Sequence, residues 1–334
     1  MAKPLTDAAE SLAGTLAWIV TDGNAGNEQP CLAVAEALGA EPQCLRVAPR
    51  PPWTWLAPWG PADPNAQIGK EGSSFRAPWP ALVLGSGRQS VPFLRALRVA
   101  SGGAAFTVFL QNPRTRLAEI DLICAPAHDA ISGPNVFTTV TSPHPFSPGR
   151  LAKLRQDPPA PIAALPRPRV AIILGGPSGA YRYGKETLER FDATLRSLAA
   201  LGVGLMVTPS RRTPAALIEI AQEATASAPR VFWDGEGHNP YPQFLALADA
   251  LVVTADSFNM VSEACATGRP VYVLEPEGGS TRFQRFHERL RYAGVTRPAP
   301  AAFREIEYWE YEPVDATPEV AAEIERRWLA RKAG

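Results

Sequence analysis

The chain has 334 residues, with 33 Lys plus Arg balanced by 33 Asp plus Glu, 35 prolines and four cysteines. That length supplies two cores of ordinary size, and zero net charge argues against a general nucleic-acid binder, which shows a basic excess. Cys31, Cys44, Cys124 and Cys265 form no CxxC pair. They read as thiols of a reducing cytoplasm, two of them in apolar contexts, rather than as a disulfide framework. The N-terminal MAKPLTDAAESLAG lacks the apolar centre of a signal peptide, and no run approaches the roughly 18 apolar residues of a membrane span. A cytoplasmic protein is expected, free to sit peripherally on the inner face of the membrane.

In chain order, LAWIVT (16–21) reads as a strand and Pro30–Leu38 as a helix. ALVLG (81–85) is a strand, and Val91–Val99 a helix with proline near its start. AFTVFLQ (105–111), DLICAP (121–126) and NVFTT (135–139) are further strands. Between Pro49 and Pro80 lies an insertion with Trp53, Trp55, Trp59, Phe75 and Trp79 that matches neither period. It reads either as a small satellite core under a long loop or as an exposed aromatic patch. In the second case Arg46, Arg50, Lys70 and Arg76 would help it meet a lipid interface. Eight prolines between 141 and 168 predict a linker.

The alternation then restarts. RVAIIL (169–174), GLMVT (204–208) and RVFW (230–233) read as strands, with helices Glu186–Leu201, Pro214–Ala224 and Tyr241–Ala248. An apolar strand at Leu251–Val253 follows, then a helix N-capped by Ser257 and closed at Gly268, then a strand opened by Pro270. Helices Arg282–Ala293 and Pro318–Lys332 complete the chain. Strands alternating with helices predict parallel sheets with right-handed crossovers. The predicted fold is α/β, with two Rossmann-like domains facing a ligand cleft. The first domain takes residues 1–150, a linker 151–168 and the second domain 169–316. The helix in 317–334 is expected to pack back onto the first domain.

The polar segments gather after strands. In LGGPSGAYRYG (174–184), Gly175, Gly176 and Gly179 let backbone approach an anion near a helix start, with Ser178 between them; an ordinary turn is the plain alternative. The absence of GK[ST] excludes a Walker A loop. TPSRRTP (208–214) places Arg211 and Arg212 at a strand's carboxyl end, where their forks suit phosphate, unless both are merely solvated. DGEGHNPY (234–241) offers His238 or Asn239, or only a polar turn. Glu263 sits among Met260, Val261, Ala264 and Cys265, where an unpartnered charge is costly. In the first domain, TDGNAGNEQP (21–30) forms a tight polar loop carrying Asp22, Gly23, Asn24, Gly26 and Asn27. GSGRQS (85–90) is a second such loop. CAPAHD (124–129) places His128 beside Asp129, a pairing suited to a general base or to a structural role. Four scattered histidines, without HExxH, a Cys/His cluster or DxD, give no metal site, and no cofactor is expected.

WIVTDGNAGNEQ, APAHD, ILGGPSGAYRYG, TPSRRTP, DGEGHNPY and VTADSFNMVSEACATGRPV together resemble the bacterial relatives of the mitochondrial-fission "elongated mitochondria" family. The motifs run from residue 18 to about 290. The last also resembles the donor segment of the glycosyltransferase that forms lipid II, although DGNAGN departs from that enzyme's first loop. The resemblance implies the GT-B architecture, with the donor nucleotide in the C-terminal domain. It implies that Glu263 holds the ribose, that Gly176 to Gly179 approach the diphosphate and that Gln284 lies near the donor sugar. Ser257 would start the helix that faces the anion.

The expected activity is a metal-independent glycosyltransferase moving a sugar from a nucleotide-diphosphate sugar to an acceptor. Arg211 or Arg212 would assist departure of the diphosphate, and Asp22, His128 or Asp129 would serve as base. An envelope glycan or a lipid-linked molecule is the expected acceptor, with peripheral membrane contact and no nucleic acid. A non-catalytic adaptor on the same scaffold and a nucleotide-sugar epimerase are the alternatives.

Overall fold

The computed structural model describes residues 11–333. The signal-peptide reading rests largely on residues 1–10, which lie outside the described residues. Two compact units emerge: the chain up to Pro145 joined by Ala316 onward, and Phe146–Asp315.

The first unit runs β1 (Leu16–Thr21), α1 (Ala25–Ala37), β2 (Glu41–Arg46), α2 (Trp53–Leu56), β3 (Leu82–Gly85), α3 (Val91–Ala100), β4 (Phe106–Phe109), β5 (Leu122–Pro126) and β6 (Val136–Thr139). Its six strands lie in the order β2-β1-β3-β4-β5-β6, all parallel. Side chains alternate across a strand, so the sheet has two cores. Ala17 and Ile19 face one with Cys31 and Val34 of α1. Trp18 and Val20 face the other with Phe93 and Leu97 of α3.

Helix α1 begins five residues before the predicted Pro30. Asn24 caps it through the Gly26 N–H at 3.1 Å, and Pro30 lies inside the helix rather than at its first position. Strand β2 carries no strand pattern in the sequence, because an exposed edge strand needs no apolar period. Parallel pairing with β1 holds it. The insertion, read as neither helix nor strand, contains the one-turn helix α2.

The second unit continues with α4 (Pro148–Gln156), α5 (Ala160–Ala163), β7 (Arg169–Leu174), β8 (Tyr181–Arg182), α6 (Lys185–Ala199), β9 (Gly204–Pro209), α7 (Ala215–Ala224), β10 (Arg230–Phe232) and α8 (Tyr241–Leu247). Then come β11 (Ala250–Thr254), α9 (Phe258–Cys265), β12 (Val271–Leu274), β13 (Glu277–Gly278), α10 (Thr281–Tyr292) and β14 (Thr296–Pro298). The parallel sheet has the order β10-β9-β7-β11-β12-β14, and β8 and β13 form a small antiparallel ribbon. Strands β7 and β11 are buried throughout, as central parallel strands must be.

The proline-rich stretch 151–168 is not a bare connection. Ser147 caps α4 through the Arg150 N–H at 3.2 Å, Leu151 is buried, and Arg155 Nε donates to the Ala246 carbonyl at 2.8 Å. The final helix, α11 (Ala316–Ala333), returns to the first unit. Val320, Ala321, Ile324 and Trp328 enter the core beneath α1. The Thr317 hydroxyl donates to the His144 carbonyl at 2.8 Å and accepts the His144 N–H at 2.9 Å.

Candidate functional site

Numbered from β7, the second sheet has the order 3-2-1-4-5-6, which reverses direction between β7 and β11. In such sheets a crevice opens beyond the carboxyl ends of the strands at the reversal. Gly175 and Gly176 follow β7, and Ala255, Asp256 and Ser257 follow β11.

Asp256 organises this point. Its side chain has no accessible surface, and it accepts the Gly176 N–H at 2.9 Å, the Tyr183 hydroxyl at 2.6 Å and Arg212 Nη2 at 3.1 Å. A buried carboxylate requires such partners. Burial first, and then the Asp256 charge, push the Tyr183 phenol well up, so it remains a donor. Gly175 N–H donates to Thr254 Oγ1 at 2.7 Å. A Cβ on Gly175 would lie 2.2 Å from an Asp256 oxygen, and one on Gly176 1.9 Å from the Arg212 carbonyl oxygen. Both glycines are therefore required by close packing within the loop cluster, whereas a Cβ on Gly179 would meet open space.

Arg212 bridges the loops. Its Nη1 donates to the carbonyls of Gly176 and Pro177 at 3.4 and 3.3 Å, yet 47% of its side chain is exposed. Arg211 is exposed on the same turn, and Ser178 is exposed on the neighbouring one, its hydroxyl accepting the Ala180 and Tyr181 N–H groups at 3.2 Å. Ser257 caps α9 through the Met260 N–H at 3.3 Å, which leaves the positive end of that helix at the reversal. Helix α10 is tied here too. His287 Nε2 bonds the Ala255 carbonyl at 2.9 Å, burial lowers its pKa, and Phe258 stacks on Phe283 at 3.9 Å. Gln284, on the first turn of α10, is exposed.

Glu263 stands apart from the Asp256 network. It is half-buried and accepts a hydrogen bond from the Tyr241 hydroxyl at the start of α8. Burial raises its pKa to about 7, against the pull of that hydrogen bond. His238 and Asn239 lie on an exposed turn, where Asn239 Oδ1 accepts the Tyr241 N–H at 3.0 Å.

In the first unit the loops after β1 and β3 also meet at a reversal of strand order. Asn27 joins them: its amide donates to Asp22 Oδ1 at 3.0 Å, and its oxygen accepts from Gln111 Nε2 at 3.2 Å and from Ser86 Oγ at 3.4 Å. Gly23, with φ of 77°, turns the chain into the Asn24 cap, and Gly26 occupies the first turn of α1. Asp22 is exposed and also accepts the Asn24 N–H at 3.1 Å. His128 and Asp129 follow β5, with Nε2 3.8 Å from Oδ1 and both side chains only 2% exposed. Asp129 also accepts the Asn112 N–H at 3.2 Å.

Among the described residues, no three His, Cys, Asp or Glu side chains converge as metal ligands. Asp256 and Tyr183 are the site residues that sequence reading missed. Asp256 lay within the quoted VTADSF motif, and its place directly after a buried strand was the available signal.

Two parallel sheets of Rossmann type define a GT-B fold, the class that includes glycosyltransferases and nucleotide-sugar epimerases. The glycosyltransferase SnogD from Streptomyces nogalater superimposes with a TM-score of 0.50 at 14% identity, covering 96% of this chain and 99% of that one. The UDP-GlcNAc 2-epimerase from Methanocaldococcus jannaschii gives 0.53 at 10% identity, over 96% and 99%. Within that class, the sequence matches the Mitochondrial fission ELM1 family over residues 25–328, and the chain belongs to that family. The mitochondrial fission protein ELM1 of Arabidopsis thaliana is 29% identical over 294 residues, 81% of this chain and 69% of that protein.

Proposed function

We propose that the second unit binds a nucleotide-diphosphate sugar and that the protein transfers its sugar to an acceptor hydroxyl. The observation that carries this reading is the convergence of Arg212, the Gly175–Gly176 turn and the Ser257-capped start of α9 at the reversal of the second sheet. A half-exposed guanidinium and a helix N-terminus suit a diphosphate. As the bond from the sugar's anomeric carbon to the diphosphate breaks, these groups stabilise the departing charge. Arg211 and Ser178 flank the same point. Glu263 is proposed to bond the nucleotide ribose, and Gln284 the donor sugar.

The acceptor is assigned to the first unit, at Asp22, Gly23, Asn24, Gly26 and Asn27. Of the proposed bases, Asp22 is the exposed one, whereas the His128–Asp129 pair is enclosed. A base there takes the acceptor hydroxyl proton as the new glycosidic bond forms. The proposed acceptor is a lipid-linked or envelope glycan, used at the inner face of the membrane.

Calorimetry with UDP and UDP-GlcNAc tests donor binding. Binding by the wild type, weakened about tenfold or more in Arg212→Ala, supports the reading. No binding of any nucleoside diphosphate sugar overturns it and favours an adaptor. Epimerised sugar formed without an acceptor assigns the second activity known among the structural neighbours. Transfer is expected to survive chelation of divalent cations; loss on chelation with recovery on adding magnesium removes the metal-independent part.

A further inference from the structure

The segment between β2 and β3 divides into an inner and an outer half. Phe75 and Trp79 turn inward and meet Trp18 edge-on, with ring centroids 6.2 and 6.0 Å away. Trp55, Leu56 and Trp59 remain outside, 70%, 44% and 66% exposed. Several large apolar side chains on one short turn is more than scattered surface exposure.

This turn is held in place by its polar groups. Trp59 Nε1 donates to the Arg114 carbonyl at 3.0 Å. Arg95 Nη1 donates to the carbonyls of Pro58 and Trp59 at 3.3 and 3.2 Å, and Arg88 Nη2 to that of Thr54 at 3.0 Å. The backbone is thus anchored while the aromatic faces stay in solvent. Arg50, Arg88, Arg114 and Arg116 are exposed around it. Among the described residues, the carboxylates paired with this group are Asp63, beside Arg50, and Glu119, shared by Arg95 and Arg116. The patch is therefore locally cationic on a chain of zero net charge.

We propose that this turn docks the first unit on a bilayer surface bearing anionic headgroups. Trp55, Leu56 and Trp59 enter the boundary between headgroups and acyl chains, where an amphipathic indole is favoured. The surrounding arginines meet lipid phosphates. Charge complementarity selects this occupant. A second copy would set one ring of arginines against another across a two-fold interface, which is repulsive. The docking deepens the reading of a membrane-side acceptor but stands independently of donor binding, which is measured in the second unit.

The test is sedimentation of the full chain with vesicles of equal parts phosphatidylglycerol and phosphatidylcholine, beside vesicles of phosphatidylcholine alone. The wild type binds the anionic vesicles. Binding falls steeply on raising ionic strength from about 0.1 M to about 1 M, which shortens the screening length from ~10 Å to ~3 Å. Trp55→Ala with Leu56→Ser lowers the partition coefficient about tenfold or more, since each buried apolar group contributes to membrane affinity. Arg116→Glu, which leaves the aromatics intact, lowers it about fivefold. Calorimetry with UDP reads donor binding separately, so failure of either proposal is distinguishable. A wild type that ignores anionic vesicles at low salt overturns the docking, as does equal binding by folded variants of both kinds. A concentration-dependent dimer that Trp55→Ala abolishes, without vesicle binding, assigns the patch to a second copy.

Discussion

Asp256 shows how one carboxylate organises a site it need not itself present to a ligand. Its oxygens take the Gly176 N–H, the Tyr183 hydroxyl and one arm of Arg212. Removing Arg212 leaves that charge buried without its cation. Arg212→Ala is expected to lower stability by roughly 1–3 kcal/mol, below the range of a fully buried pair because half the guanidinium side chain is already in solvent. Urea unfolding followed by circular dichroism measures this. Glu263 presents the opposite case. Its pKa, raised to about 7 by burial, means that the folded state holds this proton where the unfolded chain releases it. The native state thus binds more protons between about pH 4.5 and 7. The stability this group contributes is present below that window and is lost as pH rises through it. Glu263→Gln should remove this slope, so the wild-type minus variant stability difference becomes less favourable from pH 4.5 to 7 and then levels off. A flat difference in urea midpoints across the window would refute the shifted titration. If Glu263 holds a ribose as an anion, wild-type affinity for UDP also rises through the same window, and calorimetry at several pH values reads it.

At the scale of the element, local and tertiary signals agree in β11 and α9. The apolar run, the Ser257 cap and Gly268 were all legible, and the structure forms Ala250–Thr254, then Phe258–Cys265, with Gly268 at φ of 66° beyond the helix end. Ser257→Ala should cost about 1 kcal/mol, the worth of an N-cap, measured by thermal unfolding at fixed pH. Its effect on UDP affinity should be at least as large if the helix start faces the diphosphate. Strands with little apolar pattern were not legible. β2 and β14 are short or exposed edge strands, held by pairing with β1 and β12. Helix α1 starts at Ala25 rather than at the expected Pro30, because Asn24 provides the cap and the surrounding core retains the helix across Pro30. The Pro/Trp insertion was legible as irregular. Which tryptophans turn inward was not, because proximity to Trp18 is set by residues distant in sequence.

For the whole molecule, the chain leaves the first unit after Pro145, builds the second and returns at Ala316. Val320, Ile324 and Trp328 complete the core beneath α1, so the first unit is expected to need the last helix for its stability. A chain ending at residue 315 should lose amide protection in β1–β6 while retaining it in β7 and β11. Hydrogen exchange reads both regions in one experiment, and full protection of the first sheet in the truncated chain would show that α11 is dispensable. Alternation of apolar strands with amphipathic helices was enough to determine an α/β chain with two Rossmann-like sheets, since period and turn chemistry are local properties. The sequence alone also placed Arg212, Ser257 and the paired glycines after strands, because each lies in a polar segment that follows an apolar run. Only the tertiary structure decided that the paired glycines make room for Asp256 and Arg212, that Tyr183 donates to Asp256, and that Glu263 answers Tyr241. Those choices depend on which loops meet across the sheet reversal, and strand order, set by long-range pairing, is not written in any single segment.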